Sequence, residues 1–487
     1  MTDPRDESLS GQASSSVGWL TAQTWIARIG GFVTVMILAR LLTPEDFGVV
    51  AVALTVLPIV YLIADFGFGT YLMQSEKVNQ LMVSTAFWYA ATAGVALTII
   101  VCVSAPAIES AFGITGASEV LIGISPAVLL VSMASVPIAL LRRDMSFRLL
   151  SLQAGLAALI GQITALALAF TGFGVWALVS QTCVAQAVTL VAAWLAARWR
   201  PRLEFSLSEL REMIGFGSHV VGVEAVGIIR KVIENLIISN ALGGAALGQL
   251  VIAQRLVQTA QDLTGSAITP VSTVVFSRIR DDGNRLRSAY DRALGLSYFL
   301  ISPALIAVVV TAPQLIPLLF GPQWTESVAP AQALAVAAIF VMGATLDHGL
   351  FYGLGRPGRW FAYAVFIDMV TIGTTAFMVR FGLSGVAMGF VAVAALATAV
   401  RWILVARAIG TTVWAVARRT LSVMVTASGA GAAGWAVTTI DSQALPLLVE
   451  ICLGGIVVLS THLVLSWIFS RAALVEVRAQ FNARVET

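Results

Sequence analysis

Apolar runs long enough to cross a bilayer succeed one another from Trp19 almost to the C-terminus, separated by short polar turns. A helix needs about 20 predominantly apolar residues to span roughly 30 Å of hydrocarbon. By that measure the pattern predicts helices near 18–42, 47–73, 80–104, 118–141, 149–171, 173–197, 213–240, 246–276, 292–312, 328–352, 360–380, 384–406, 415–438 and 445–469. No connection has room for a soluble domain. The predicted class is therefore an all-α polytopic membrane protein of about 14 transmembrane helices, whose chemistry lies in or beside the membrane.

The runs repeat. Ile37, Leu42, Gly48 and Ala53 recur as Ile237, Leu242, Gly248 and Ala253 at one offset of 200 residues. Phe112-Gly113 recurs as Phe320-Gly321 at an offset of 208, and Arg148 and Gly174-Val175 recur as Arg359 and Gly385-Val386 at 211. Slowly drifting offsets are what two diverged copies with small insertions give. Six helices per copy is an even number, so both copies enter from the same side and form parallel lobes related by an axis along the membrane normal. The expected organisation is a polar tail over 1–17, an N-lobe of six helices over 18–211 and a C-lobe of six over 212–410. Two further helices occupy 411–470, and a second tail occupies 471–487.

Composition narrows the class without changing it: 58% hydrophobic and 11% charged residues over 487 exclude a soluble domain with one core, and equally a disordered chain. The charge that is present orients the helices. With a cytoplasmic N-terminus, the even-numbered connections hold Lys77, then Arg142, Arg143 and Arg148, then Arg198, Arg200, Arg202 and Arg211. They continue with Arg278, Arg280, Arg285, Arg287 and Arg292, then Arg356 and Arg359, then Arg407, and the tail holds Arg471, Arg478 and Arg484. Opposite connections hold little beyond Arg40 and Arg380, which predicts both termini in the cytoplasm. The net charge of +3 is thus a matter of topology, and nucleic acid is not an expected partner. The first 17 residues are polar and slightly acidic (Asp3, Asp6, Glu7), so no cleavable signal is expected and the run from Trp19 is an anchor. Cys102, Cys183 and Cys452 lie inside apolar runs and read as packed thiols, with no metal, cofactor or catalytic group expected.

Charges inside the runs carry the candidate chemistry, because a charged side chain at that depth is costly unless it faces a cavity, a partner or a ligand. Arg28 lies in the first run with Thr21, Thr24 and Gly31 on one helical face. The seventh run carries Glu224, Arg230, Lys231 and Glu234, and the eighth carries Arg255, Gln258 and Asp262. Arg28, Arg230, Lys231 and Arg255 are the candidate cationic site for a phosphate or acidic sugar, since arginine offers a two-pronged fork to phosphate oxygens. The competing reading is self-neutralisation, because Arg230 and Glu234 stand at i,i+4. Asp65, Glu224, Glu234 and Asp262 are candidates for coupling or gating, with Asp65 equally suited to a structural cap. Asp347, His348 and Asp368 read as partners for Arg356 or Arg359, and His219 and His462 as interfacial groups. Pro58, Pro126, Pro137, Pro270 and Pro303 predict kinks.

Three segments carry a family resemblance: Ala39-Arg-Leu-Leu-Thr-Pro-Glu-Asp-Phe-Gly48, Ala64-Asp-Phe-Gly-Phe-Gly-Thr70 and Leu319-Phe-Gly-Pro-Gln-Trp324. They resemble the polysaccharide transporters, the Wzx-type oligosaccharide flippases of the multidrug/oligosaccharidyl-lipid/polysaccharide exporter superfamily, over residues 15 to 410. The resemblance implies a bacterial inner-membrane protein with two six-helix lobes around a central cavity lined by helices 1 and 7. That cavity would open to either side in turn and move a polyprenyl-pyrophosphate-linked oligosaccharide outward for exopolysaccharide, O-antigen or capsule assembly. Membrane lipids, a polysaccharide polymerase and export machinery are the implied partners. Fourteen helices are similar to the lipid II flippase relatives, whose extra pair forms a groove for a lipid tail.

Rival functions make different demands. A membrane glycosyltransferase or polymerase would need a large extracytoplasmic loop bearing carboxylates, and no connection is long enough. A cation-coupled multidrug exporter of the same superfamily would favour an acidic cavity, whereas runs 1, 7 and 8 offer more basic than acidic groups. A scaffold would leave the buried charges without a use.

Overall fold

A computed structural model of the chain describes Trp25 and residues 27–265, 272–439 and 446–469, so both expected tails, 1–17 and 471–487, lie outside the described residues. All regular structure among the described residues is helical. The helices are α1 (27–41), α2 (Pro44–Asp65), α3 (Phe68–Gln74), α4 (Gln80–Phe112), α5 (Ala117–Ile124), α6 (Pro126–Arg143), α7 (Phe147–Phe170) and α8 (Trp176–Ala197). Then come α9 (Leu207–Gly265), α10 (Ser272–Arg278), α11 (Gly283–Phe320), α12 (Val328–Val341), α13 (Ala344–Gly353), α14 (Pro357–Met378), α15 (Gly382–Ile409), α16 (Val413–Thr439) and α17 (Leu447–Phe469).

Eleven stretches among the described residues are long and apolar enough to span a membrane. Two of them are double. α9 has 59 residues, roughly 88 Å if straight and nearly three bilayer cores, and it is divided by the non-helical Gly243 (φ 85°, ψ 177°). Pro357–Ile409 is divided by a 3₁₀ turn over Val379–Phe381 and by Gly382 at φ 74°. With α1, whose run begins before the described residues, the pattern of fourteen helices is recovered. Both breaks lie where the hydrophobic pattern pauses, at 241–245 and 381–383.

Local sequence explains the boundaries. Thr43 and Asp46 form a reciprocal cap at the start of α2, Thr43 N–H donating to Asp46 Oδ2 at 2.9 Å and Asp46 N–H to Thr43 Oγ1 at 3.2 Å, with Pro44 in the first turn. The apolar run continues past Asp65, but the helix does not, because Phe66 (φ 46°) and Gly67 (φ 73°) are left-handed. A short α3 comes next, and Arg143 from α6 closes its far end by donating to the carbonyls of Leu72 (2.8 Å) and Ser75 (2.5 Å). Pro58, Pro137 and Pro303 lie inside helices, Pro126 opens α6, and Pro270 lies outside the described residues.

The chain divides into two compact units, Met1–Gly248 and Gln249–Thr487. In the first, α6 packs on α4 and α8, α7 on α8, and α2 lies against α4, α5 and α6. A core of Phe68, Leu72, Met82, Val83, Ala86, Phe87, Val136, Ala139 and Met213 ties α3, α4 and α6 to the start of α9. In the second, α12 packs on α15, and α11 runs against α12, α16 and α17.

Helices that correspond under the expected repeat, α4 with α11 and α8 with α15, make similar closures. The segment after α8 is held by the start of α4, where Gln80 donates to Arg200 O (2.9 Å), Trp88 to Arg202 O (2.7 Å), and Ser84 and Thr85 accept from the N–H groups of Arg202 and Ser206 (both 3.1 Å). The end of α15 is held by the start of α11, where Arg287 donates to Ile409 O (2.8 Å) and Gly410 O (2.5 Å). Phe112-Gly113 and Phe320-Gly321 end α4 and α11, each glycine being the C-cap at positive φ (66° and 110°).

Candidate functional site

Two helices of the first unit meet through glycine. A Cβ at Gly48 of α2 would overlap the carbonyl of Gly244 on α9, and a Cβ at Gly248 would overlap the carbonyl of Pro44. Residues 44 and 48 correspond to 244 and 248 under the repeat, so the contact is reciprocal: each copy's glycine meets the other copy's residue four positions earlier. Farther along, Asn235 Nδ2 donates to Thr55 Oγ1 at 2.7 Å, both side chains buried. At the other end a Cβ at Gly217 would meet Phe66 O. The first part of α9 therefore accompanies α2 in the opposite direction along its whole length.

Between these contacts α9 presents the charges singled out by the sequence. Arg230 Nη1 donates to Glu234 Oε2 at 2.5 Å, with Glu234 almost fully buried and Arg230 half-buried. Glu224 and Lys231 are exposed, two turns apart on one face. A charge at membrane depth is tolerated where it meets water, a partner or a ligand in place of hydrocarbon.

The remaining candidates are placed singly. Arg28 is half-buried on α1 and engaged with other residues, so its tolerance of the bilayer does not by itself call for a bound anion. The α7-facing side of α1 is marked by Ala27, whose carbonyl accepts from Gln162 (3.4 Å), and by Gly30, which lies against the same Gln162 side chain. Thr21, Thr24 and the His219 side chain lie outside the described residues. Asp65 is half-buried at the end of α2, with its carboxylate beside the backbone of Gly69 at the turn into α3. Near that turn, on α3, burial and the Glu212 carboxylate (2.8 Å) push the Tyr71 phenol up. Arg255 and Asp262 lie on α9 in the second unit, both half-buried; Arg255 Nε makes no hydrogen bond, and Asp262 is engaged.

Hydropathy and spacing did not single out Arg401. This arginine, 3% exposed on α15, places Nη1 at 3.1 Å from Oδ2 of Asp347, which is 2% exposed on α13. Asp347 Oδ1 accepts from Tyr290 OH at 2.5 Å. The expected pairing of Asp347 with Arg356 or Arg359 is thus corrected: the buried carboxylate turns into the helix bundle, where Arg401 meets it. The available signal was one arginine in the otherwise uncharged stretch Gly382–Val405 of α15, a solitary intramembrane cation of the kind that marked Arg28. His462 is buried, its ring 5.8 Å from that of Phe299. His348 stacks on Tyr352 at 4.2 Å. Among the described residues no group of three or more His, Cys, Asp or Glu could hold a metal ion.

Residues 37–329 match the family described as polysaccharide biosynthesis protein. The chain is 27% identical over 346 residues to the succinoglycan biosynthesis transport protein ExoT of Rhizobium meliloti (strain 1021), covering 71% of this chain and 70% of that one. It is 24% identical over 402 residues to the lipopolysaccharide biosynthesis protein WzxC of Escherichia coli (strain K12), covering 79% of each. Its fold is similar to that of the lipid II flippase MurJ in an inward closed conformation, with a TM-score of 0.77 at 15% identity over 94% of this chain and 99% of that one.

Proposed function

The chain belongs to the polysaccharide biosynthesis protein family, in the Wzx-type branch of the multidrug/oligosaccharidyl-lipid/polysaccharide exporter superfamily, and from that premise we propose that it is a flippase for a polyprenyl-pyrophosphate-linked oligosaccharide. It works in a bacterial inner membrane, takes the lipid-linked unit from the cytoplasmic face, and releases it outside for a polymerase and export machinery to extend. No bond is made or broken. The work is moving a pyrophosphate and its sugars across hydrocarbon, which requires a hydrated path with positive charge.

The observation that carries this reading is Lys231, exposed in the spanning part of α9 one residue beyond an arginine already neutralised by Glu234. Pairing removes Arg230 and Glu234 from the balance and leaves Lys231 as an exposed cation two turns from Glu224, a charge suited to an anionic head. In this reading Lys231 and Arg28 contact the head group, and Arg230 sets the position of Glu234 and of the α9 face. Arg255, with its Nε making no hydrogen bond, is a further contact on its own evidence. Glu224, Glu234 and Asp262 are the gating candidates, and Asp65 acts at the turn between α2 and α3. An acid-lined drug site would invert this balance.

Surface polysaccharide in a strain lacking the chromosomal copy tests the proposal. Lys231→Ala should lose most export while the protein stays at normal membrane abundance. Full export by Lys231→Ala and by Arg28→Ala together would overturn the cationic path.

A further inference from the structure

The tenth helix of the hydrophobic pattern bends at Met342 and Gly343, between α12 and α13, where both residues keep right-handed helical dihedrals (φ −52°, ψ −40° and φ −67°, ψ −15°). At such a bend a main-chain carbonyl is open to side-chain donors. The carbonyl of Phe340 accepts from Thr398 Oγ1 at 2.8 Å, from Arg401 Nη2 at 3.0 Å and from Tyr298 OH at 3.5 Å. One turn past the bend, Asp347 supplies its carboxylate to Arg401 and Tyr290. Thr398 Oγ1, while donating to Phe340 O, also lies 3.3 Å from Arg401 Nη2. A carboxylate, a main-chain carbonyl and a hydroxyl thus converge on one guanidinium, and a phenol closes the carboxylate's other side. Thr398, Tyr290, Asp347 and Arg401 are 0%, 1%, 2% and 3% exposed.

An arginine is usually retained in such a place for its planar fork. Here the fork is not used: Nε and Nη1 make no hydrogen bond, and Nη2 alone donates. The guanidinium serves as a positive charge among oxygens. Gly343 keeps the room for it, since a Cβ there would stand 3.2 Å from Nη1. A buried pair alone would account for neutrality, but not for a main-chain carbonyl and a hydroxyl turned to the same cation. Carboxylate, hydroxyl and main-chain oxygens meeting at a helix bend are donors of the kind with which membrane transporters hold a dehydrated monovalent cation.

We propose that this cluster is a monovalent-cation pocket whose ion is replaced by the tethered guanidinium of Arg401. The chain carries its own cation there, and alkali-metal binding at this place is not part of its cycle. Emptying the pocket should restore the site.

The test is the melting temperature of the purified full chain in detergent, in sodium chloride, potassium chloride and choline chloride at equal ionic strength. Wild type should melt alike in all three. Arg401→Ala should melt lower in choline, and sodium or potassium should raise its Tm by at least about 2 °C. Arg401→Ala/Asp347→Asn should lose that response. No alkali-metal response in Arg401→Ala would overturn the proposal, as would a sodium response in wild type that Asp347→Asn abolishes. Should Arg401→Ala not be purifiable, Arg401→Lys decides: its ammonium still fills the pocket, so indifference to sodium is expected and a sodium-dependent Tm overturns the idea. These readouts are independent of substrate and separate this inference from the flippase reading.

Discussion

Arg230 and Lys231 are neighbours in sequence with opposite assignments, one held by a carboxylate and one exposed, and substitution should separate them. Removing Arg230 takes a charged partner from the nearly buried Glu234, at a cost of up to about 3 kcal/mol. Arg230→Ala should therefore melt several degrees lower and accumulate poorly, whereas Arg230→Met/Glu234→Met, which removes both charges, should recover most of the loss. Thermal melting of the purified variants checks both. Lys231→Ala, at an exposed position, should change stability by no more than about 0.5 kcal/mol while reducing export. This division was half legible in the sequence. The i,i+4 spacing announced the Arg230–Glu234 pair because both residues share one helix face. The Asp347–Arg401 pair was not announced, because no periodicity within a helix links residues on α13 and α15. Only tertiary packing brings them together.

At the scale of the element, the α2–α9 crossing depends on the absence of side chains. Each glycine lies against a main-chain carbonyl, so an added methyl must push the helices apart and cannot be absorbed by a side-chain rotation. Gly48→Ala and Gly248→Ala should each lower stability by about 1–3 kcal/mol. Because one separation of the helices relieves both clashes, the double variant should cost clearly less than the sum. Additive losses in melting temperature would mean that the two glycines act at independent contacts. The repeat made Gly48 and Gly248 equivalent from sequence alone, but equivalence is not contact. Contact comes from the path of α9, which runs back along α2 past Thr55 to Phe66. Hydropathy also merges α2 and α3 into one run over 47–73, because it cannot register the left-handed backbone at Phe66. The composition of Ala-Asp-Phe-Gly-Phe-Gly held the cue, with glycines allowing the turn and an aspartate able to cap the next helix.

For the molecule as a whole, the number and order of helices were legible in hydropathy, since nothing but a helix of about 20 residues crosses a bilayer in a single apolar run with its backbone satisfied. The closures made by α4 and α11 were not legible, because different residues make them: Gln80 and Trp88 at one, Arg287 at the other. Orientation comes from a different physics, the retention of arginine and lysine on the cytoplasmic side, and it is the property of the whole chain most open to direct test. Single cysteines at Ser110, Gly172 and Gln323, all exposed in connections or helix ends on the arginine-poor side, should react with an impermeant thiol reagent in intact cells. Cysteines at the exposed Asp144, Asp282 and Gly358, on the arginine-rich side, should react only after the membrane is opened. The native Cys102, Cys183 and Cys452 are first replaced by serine or alanine so that the half-buried and exposed thiols give no background. Because every connection alternates sides, one reversed position would mean a miscounted helix between it and its neighbours. Reversal of all six would place both termini outside, and the proposed direction of transport would then have to be read from the other face.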